Sequence, residues 1–104
     1  MLRDRRHIAA DGDVDADVAI SRHTGDLVGL PELVPRGFVV PEGEGDALFK
    51  DAAIVIAECI ATSSLEARTD QGLMTEKLRV ELRRFFKKRT SGRRPLVLPV
   101  LMEI

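Results

Sequence analysis

The stretch Asp13-Val14-Asp15-Ala16-Asp17-Val18-Ala19-Ile20-Ser21 decides the fold. Val14, Ala16, Val18 and Ile20 fall on one side, and Asp13, Asp15, Asp17, Ala19 and Ser21 on the other. Successive side chains of a strand point to opposite faces, so a period of two with one apolar row predicts a half-buried strand over 14–22. Thr24-Gly25-Asp26 is a turn signal. A second extended segment follows at 32–40, with Leu33, Val34, Phe38 and Val39 as its apolar residues. Pro35 and Gly37 interrupt it, which suggests an edge strand or a bulge. The two segments are expected to form a hairpin with a loose connection through Gly29 and Pro31.

Beyond the loop Pro41–Gly45 the periodicity changes. Leu48, Phe49, Ala52, Val55, Ile56, Cys59 and Ile60 recur near every 3.6 residues, which predicts an amphipathic helix from Asp46, as its cap, to about residue 66. After a break at Thr69 and Asp70, Met74, Leu78, Leu82, Phe85 and Phe86 define a second helix ending near residue 90, with Gly92 as the stop. Residues 94–103 read as a last strand. Leu96, Leu98, Val100 and Met102 share one face, and Val97 and Leu101 are assigned to the face away from the helices. Pro95 and Pro99 cannot donate to a ladder, so they are confined to bulges, ends or unpaired edges. At the other end, Leu2, Arg6 and Ala9 are spaced for a short lead-in helix over 2–10 that stops at Gly12. The predicted order is α-β-β-α-α-β: an α+β, two-layer domain in which a three-stranded sheet packs on two helices. Pairing of the last strand, parallel or antiparallel, does not follow from the pattern.

A chain of 104 residues with 44% hydrophobic and 32% charged side chains makes one small domain with one core. With no Trp, no Tyr and four Phe, that core must be mostly aliphatic. No apolar run approaches the roughly 18 residues that span a bilayer, and Arg3, Arg5 and Arg6 have no apolar stretch behind them as a secretory signal would. A single Cys59 cannot form an internal disulfide, which fits a reducing cytoplasm. The net charge of −1 hides an asymmetry. Residues 1–76 carry seven basic and fifteen acidic side chains, and residues 77–104 nine basic and two acidic. Asymmetry of this kind can mark a surface for nucleic acid or for an acidic partner.

Three blocks, taken in order, resemble the C-terminal domain of bacterial ribonuclease J: Leu2-Arg3-Asp4-Arg5-Arg6-His7-Ile8-Ala9-Ala10-Asp11-Gly12, Arg36-Gly37-Phe38-Val39, and Arg93-Arg94-Pro95-Leu96-Val97-Leu98-Pro99-Val100-Leu101-Met102-Glu103. The resemblance covers nearly the whole chain and divides it into a lead-in helix and linker end (1–12) and the domain proper (13–104). It implies a parent enzyme that cleaves RNA both 5′-to-3′ and internally. The parent would use two zinc ions held in a metallo-β-lactamase core with a β-CASP insertion. It implies for this domain a sheet of three strands on two helices that supports dimer or tetramer assembly and full activity. Partners would be the parent's own catalytic domains, further copies of the chain, RNA through the parent, and no membrane. The first strand departs from the family pattern, which looks almost continuously apolar. Asp13, Asp15 and Asp17 suggest that the second sheet face is open to water, which argues against an assembly that buries it.

The family's catalytic signature is a dense His-X-His-X-Asp-His cluster, whereas this chain has only His7 and His23. Two zinc ions need more ligands than that, so no catalytic residue, no metal site and no cofactor are assigned to the domain, and the isolated chain is not expected to cleave RNA. No nucleophile–base pair or phosphate loop suggests an independent enzyme. A KH-type RNA module would need a Gly-X-X-Gly turn between helices, which is missing. Asp11, Asp13 and Asp15 match the first positions of a calcium loop, but Ala16 stands where Gly is required and Arg22 where the closing Glu belongs. The candidate surface is the basic cluster Lys77, Arg79, Arg83, Arg84, Lys87, Lys88, Arg89, Arg93 and Arg94. Three readings stay open: a solvated helix face partly set by the helix dipole, a non-specific phosphate-tracking surface for RNA, and docking on an acidic protein face. Phe85 and Phe86 fall on or beside the core stripe, which argues against base-specific reading. Arg36, Phe38, Val97 and Leu101 are the candidate interface residues.

Overall fold

In the computed structural model, residues 11–90 and 92–104 are described, and the order along them is β-β-α-α-α-β. β1 is Asp13–Ile20, β2 Glu32–Arg36, α1 Gly45–Thr62, α2 Leu65–Arg68, α3 Gln71–Arg89 and β3 Leu96–Glu103. The sheet order is β2-β1-β3. β2 runs antiparallel to β1, from Asp13↔Arg36 to Asp17↔Glu32. β3 runs parallel to it, from Asp13↔Leu96 to Ile20↔Glu103. The predicted lead-in helix over 2–10 lies outside the described residues.

The alternation that defines β1 translates directly into burial. Val14, Ala16 and Val18 are fully buried and Ile20 nearly so. Met74, Leu78, Leu82 and Phe86 of α3, with Leu48, Ala52, Ile56, Cys59 and Ile60 of α1, close over that row as one cluster. Each buried Val, Leu, Ile, Met or Phe among them contributes about 1.5–3 kcal/mol. All four Phe gather at one end of this layer. Phe38 lies 5.4 Å from Phe86 and 6.4 Å from Phe49, centroid to centroid, and Phe85 lies 5.4 Å from Phe86, all edge to face. Edge-to-face rings place a positive rim on a negative face, which adds to their area burial.

Two local expectations are corrected. The first long helix does not reach residue 66. Ser63 leaves helical geometry and its hydroxyl donates to the Cys59 carbonyl (2.7 Å), while Ser64 accepts from Ala67 N–H (3.2 Å) and starts the four-residue α2. Paired serines offer the backbone alternatives to helical bonds, so the helix breaks there. Asp46 is not the cap of α1. Glu44 takes that position without a side-chain bond, and Asp46 sits in the first turn, where a carboxylate suits the helix dipole. Asp70 does cap the last helix, accepting from Leu73 N–H at 3.1 Å.

The faces of β3 are reversed relative to the sequence reading. The parallel register sets Val97 beside Val14, Pro99 beside Ala16 and Leu101 beside Val18, so these three join the row facing the helices. Val97 is fully buried and Leu101 packs against the core. The open face instead carries Leu98, Val100 and Met102 of β3 and Val34 of β2, all exposed. The half-buried Asp13, Asp15 and Asp17 lie between them.

Where β1 begins, the packing leaves no room for a side chain. Gly12 has φ 76°, and a Cβ there would stand 2.4 Å from the carbonyl carbon of Gly37, itself at φ 69°. Only glycine adopts such a φ without penalty. Gly12→Ala is expected to lose about 2–4 kcal/mol of stability, combining backbone strain with a backbone clash. Urea denaturation measures it, and an unchanged midpoint would contradict the close approach.

Candidate functional site

Three sequence blocks far apart in the chain meet at one corner of the sheet. Leu96 N–H donates to the Gly12 carbonyl at 2.9 Å, and Arg94 N–H donates to Asp11 Oδ2 at 3.0 Å. Arg93 Nη1 donates to the Val39 carbonyl. Arg36 pairs with Asp15 at 2.7 Å across the open face, and Phe38 turns inward to the aromatic cluster. Asp11-Gly12, Arg36 to Val39 and Arg93 to Leu96 therefore form one constellation of backbone and side-chain contacts. Asp11 and Asp15, two members of the tested calcium loop, are engaged here by Arg94 N–H and by Arg36.

The basic cluster divides by what each side chain touches. Lys77 Nζ donates to Ser63 Oγ at 2.9 Å and belongs to the interior edge of the helix layer. Arg79 pairs with Glu76, Arg84 with Glu81 at 3.2 Å, and Arg89 with Asp51 at 2.7 Å. Arg89 also lies over the Phe85 ring, 5.3 Å from its centroid. Arg93 is held by Val39. Arg83, Lys87, Lys88 and Arg94 are exposed and have no acidic partner among the described residues. The first three share the outer face of α3. A shallow hollow lined by Arg84, Lys87, Lys88 and Gly92 lies on the same face.

The four interface candidates are also distributed. Arg36 is exposed on the open face, with its partner Asp15 beneath it. Phe38 and Val97 are core residues, and Leu101 packs against the core. Exposed apolar surface lies elsewhere. Leu30 is 92% exposed beside a groove of about 500 Å³, whose walls include Leu27, Phe49, Ile54 and Ala57. A latch ties that connection to the helices: Arg68 donates to Asp26 Oδ1 at 2.6 Å and to the Ser63 carbonyl at 3.1 Å. Nothing in the residue pattern marked this latch, because Asp26 and Arg68 are 42 residues apart in the chain.

Among the described residues no three His, Cys, Asp or Glu side chains gather as a metal centre requires. No helix among them is long and apolar enough to cross a membrane.

A two-layer α+β module with one cationic helix face, a striped open sheet face and a glycine-tight corner is the class defined by this geometry. The family model for the ribonuclease J C-terminal domain matches residues 1–104, and the chain belongs to that family. Among curated proteins it is 29% identical to ribonuclease J2 of Bacillus subtilis (strain 168) over 105 aligned residues. It is 30% identical to ribonuclease J 2 of Staphylococcus saprophyticus and 29% identical to ribonuclease J 2 of Staphylococcus aureus (strain NCTC 8325 / PS 47). Each alignment covers the whole chain but 18% of the relative, so the chain spans less than a fifth of the proteins it matches.

Cys59, on α1, is buried with its thiol pKa raised, first by desolvation and then by Glu81, against an opposing effect of Lys77. A thiol that resists ionisation when folded supplies stability that is full below the ordinary thiol pKa of about 8.5 and is lost as pH rises through the folded value. Urea denaturation at neutral and at alkaline pH is expected to show that loss, and Cys59→Ala to abolish the part due to this group.

Proposed function

We propose that the chain is the non-catalytic C-terminal domain of a ribonuclease J. Cleavage would take place in the rest of a longer cytoplasmic polypeptide, through two zinc ions held there, and this domain would support self-assembly and full activity. The single observation that carries the reading is the family match over all 104 residues, combined with relatives more than five times as long. Exposed apolar surface supports the assembly role: Leu30 and Ile54 at the groove, and Leu98, Val100 and Met102 on the open sheet face. Arg36 remains a candidate contact on that face. Phe38, Val97 and Leu101 would act by shaping the surface from within.

Comparing the parent polypeptide with a form lacking residues 13–104 tests this. The truncated form is expected to have a smaller assembled mass and a slower turnover of RNA, and the 104-residue chain alone to leave RNA intact in the presence of zinc. Hydrolysis by the chain alone, or a truncation without effect on mass and rate, would refute the proposal.

A second reading, non-specific RNA binding, is favoured by Arg83, Lys87, Lys88 and Arg94, which are exposed and lack acidic partners among the described residues. Four phosphate contacts would give a log–log salt slope of about −3 for single strands. Replacing all four by Gln is expected to flatten that slope, as read by fluorescence anisotropy with a labelled oligonucleotide. Binding that ignores both salt and the substitutions would exclude the surface.

A further inference from the structure

Every sheet of this kind leaves two edges whose N–H and C=O groups can recruit a strand from another chain. The hydrogen bonds show which residues present those groups. Leu96 N–H bonds Gly12, Ile104 N–H bonds Ile20, and Arg22 N–H bonds Ile104. In a parallel ladder alternate residues bond the same neighbour, so the even-numbered residues of β3 bond β1 and Val97, Pro99, Leu101 and Glu103 present their backbone to the outside. The same bonds turn the even residues of β1 toward β3 and the odd ones toward β2. Val28 N–H accordingly bonds the Ala19 carbonyl at 2.8 Å. The pairing Asp15↔Val34 then makes Leu33 and Pro35 the outward positions of β2.

Both edges, free among the described residues, carry a proline at an outward position. On β3, Val97 is fully buried, Pro99 has no N–H to offer, and the Leu101 carbonyl already accepts from Gln71 Nε2 at 3.2 Å. Only Leu101 and Glu103 keep an outward N–H that an added strand could reach. On β2, Pro35 leaves Leu33 as the single outward donor of a five-residue strand, and Pro31 stands just before it. A proline facing β1 would have broken the ladder, whereas in these positions it breaks no ladder bond and removes the donor an incoming strand needs.

We infer that Pro35 and Pro99 close the two sheet edges to strand addition, so that this domain meets other copies of itself, or any extended peptide, through its faces and not its edges. The inference does not depend on the RNA-binding or assembly readings. Closed edges restrict how copies can join, without requiring that they join.

The test is the double variant Pro35→Thr, Pro99→Val in the 104-residue chain, with Val100→Thr as a control that alters an exposed side chain but leaves the edge backbone unchanged. Sedimentation velocity over a concentration series is the readout, with circular dichroism to confirm folding. The double variant is expected to associate at a concentration at least tenfold lower than the parent chain, with added β signal, and the control to behave like the parent. A folded double variant that associates no more readily than the parent would overturn the inference. Should the double variant fail to fold, a synthetic peptide spanning residues 96–103 with valine at position 99 is titrated against the unmodified chain. No saturable binding is expected, and saturable binding with added β signal would overturn it.

Discussion

The parallel pairing of β1 with β3 is the constraint on which the rest of the molecule depends. It joins the first described strand to the last, 83 residues apart between Asp13 and Leu96 in the register, and so commits the helices between β2 and β3 to a crossover past β1. Because the register sets like parity beside like parity, the buried row of β1 continues through Val97, Pro99 and Leu101, and both helices rest on that combined surface. β2 contributes less: five residues, with only Leu33 partly packed against the core. Contact order is therefore high for a small domain, and the corner where Gly12, Gly37 and Arg94 meet brings its two ends together.

Much of this was legible from the residues alone. The aspartate-valine alternation specified β1 and its buried side without ambiguity, because polar and apolar positions contrast at every step. Met74, Leu78, Leu82 and Phe86 specified the inward stripe of α3 for the same reason. The faces of β3 were not legible. Leu96-Val97-Leu98-Pro99-Val100-Leu101-Met102 is apolar in both parities, so a period of two carries no information there and only the register with β1 decides. Prolines, by contrast, were informative: the requirement that Pro99 avoid a ladder bond is met by an edge strand with its nitrogen turned outward. The break at Ser63 and Ser64 escaped because the apolar stripe of α1 has already ended when it occurs.

The surface divides in a way that the overall charge of −1 conceals. Of the nine cations in the C-terminal quarter, several serve the fold: Lys77 reaches Ser63, Arg93 holds the loop after Phe38, and Arg89 bridges to Asp51. What remains for a partner is a smaller patch on the outer side of α3. The opposite layer presents aspartates between apolar rows. The relatives that this chain matches are more than five times as long, and among the described residues these two faces and the groove beside Leu30 are surfaces open to a partner. Their arrangement follows from which side of the sheet the helices cover.

The most direct measurement of that arrangement compares Val97→Lys with Val100→Lys by urea denaturation. Val97 is enclosed by the helix layer, so an ammonium there has no partner and is expected to cost about 3 kcal/mol or more. Val100 stands on the open face beside Asp17, where a lysine is expected to change stability by less than about 1 kcal/mol. The reverse order, with lysine tolerated at 97 and damaging at 100, would show that β3 presents its other side to the helices and would contradict the account.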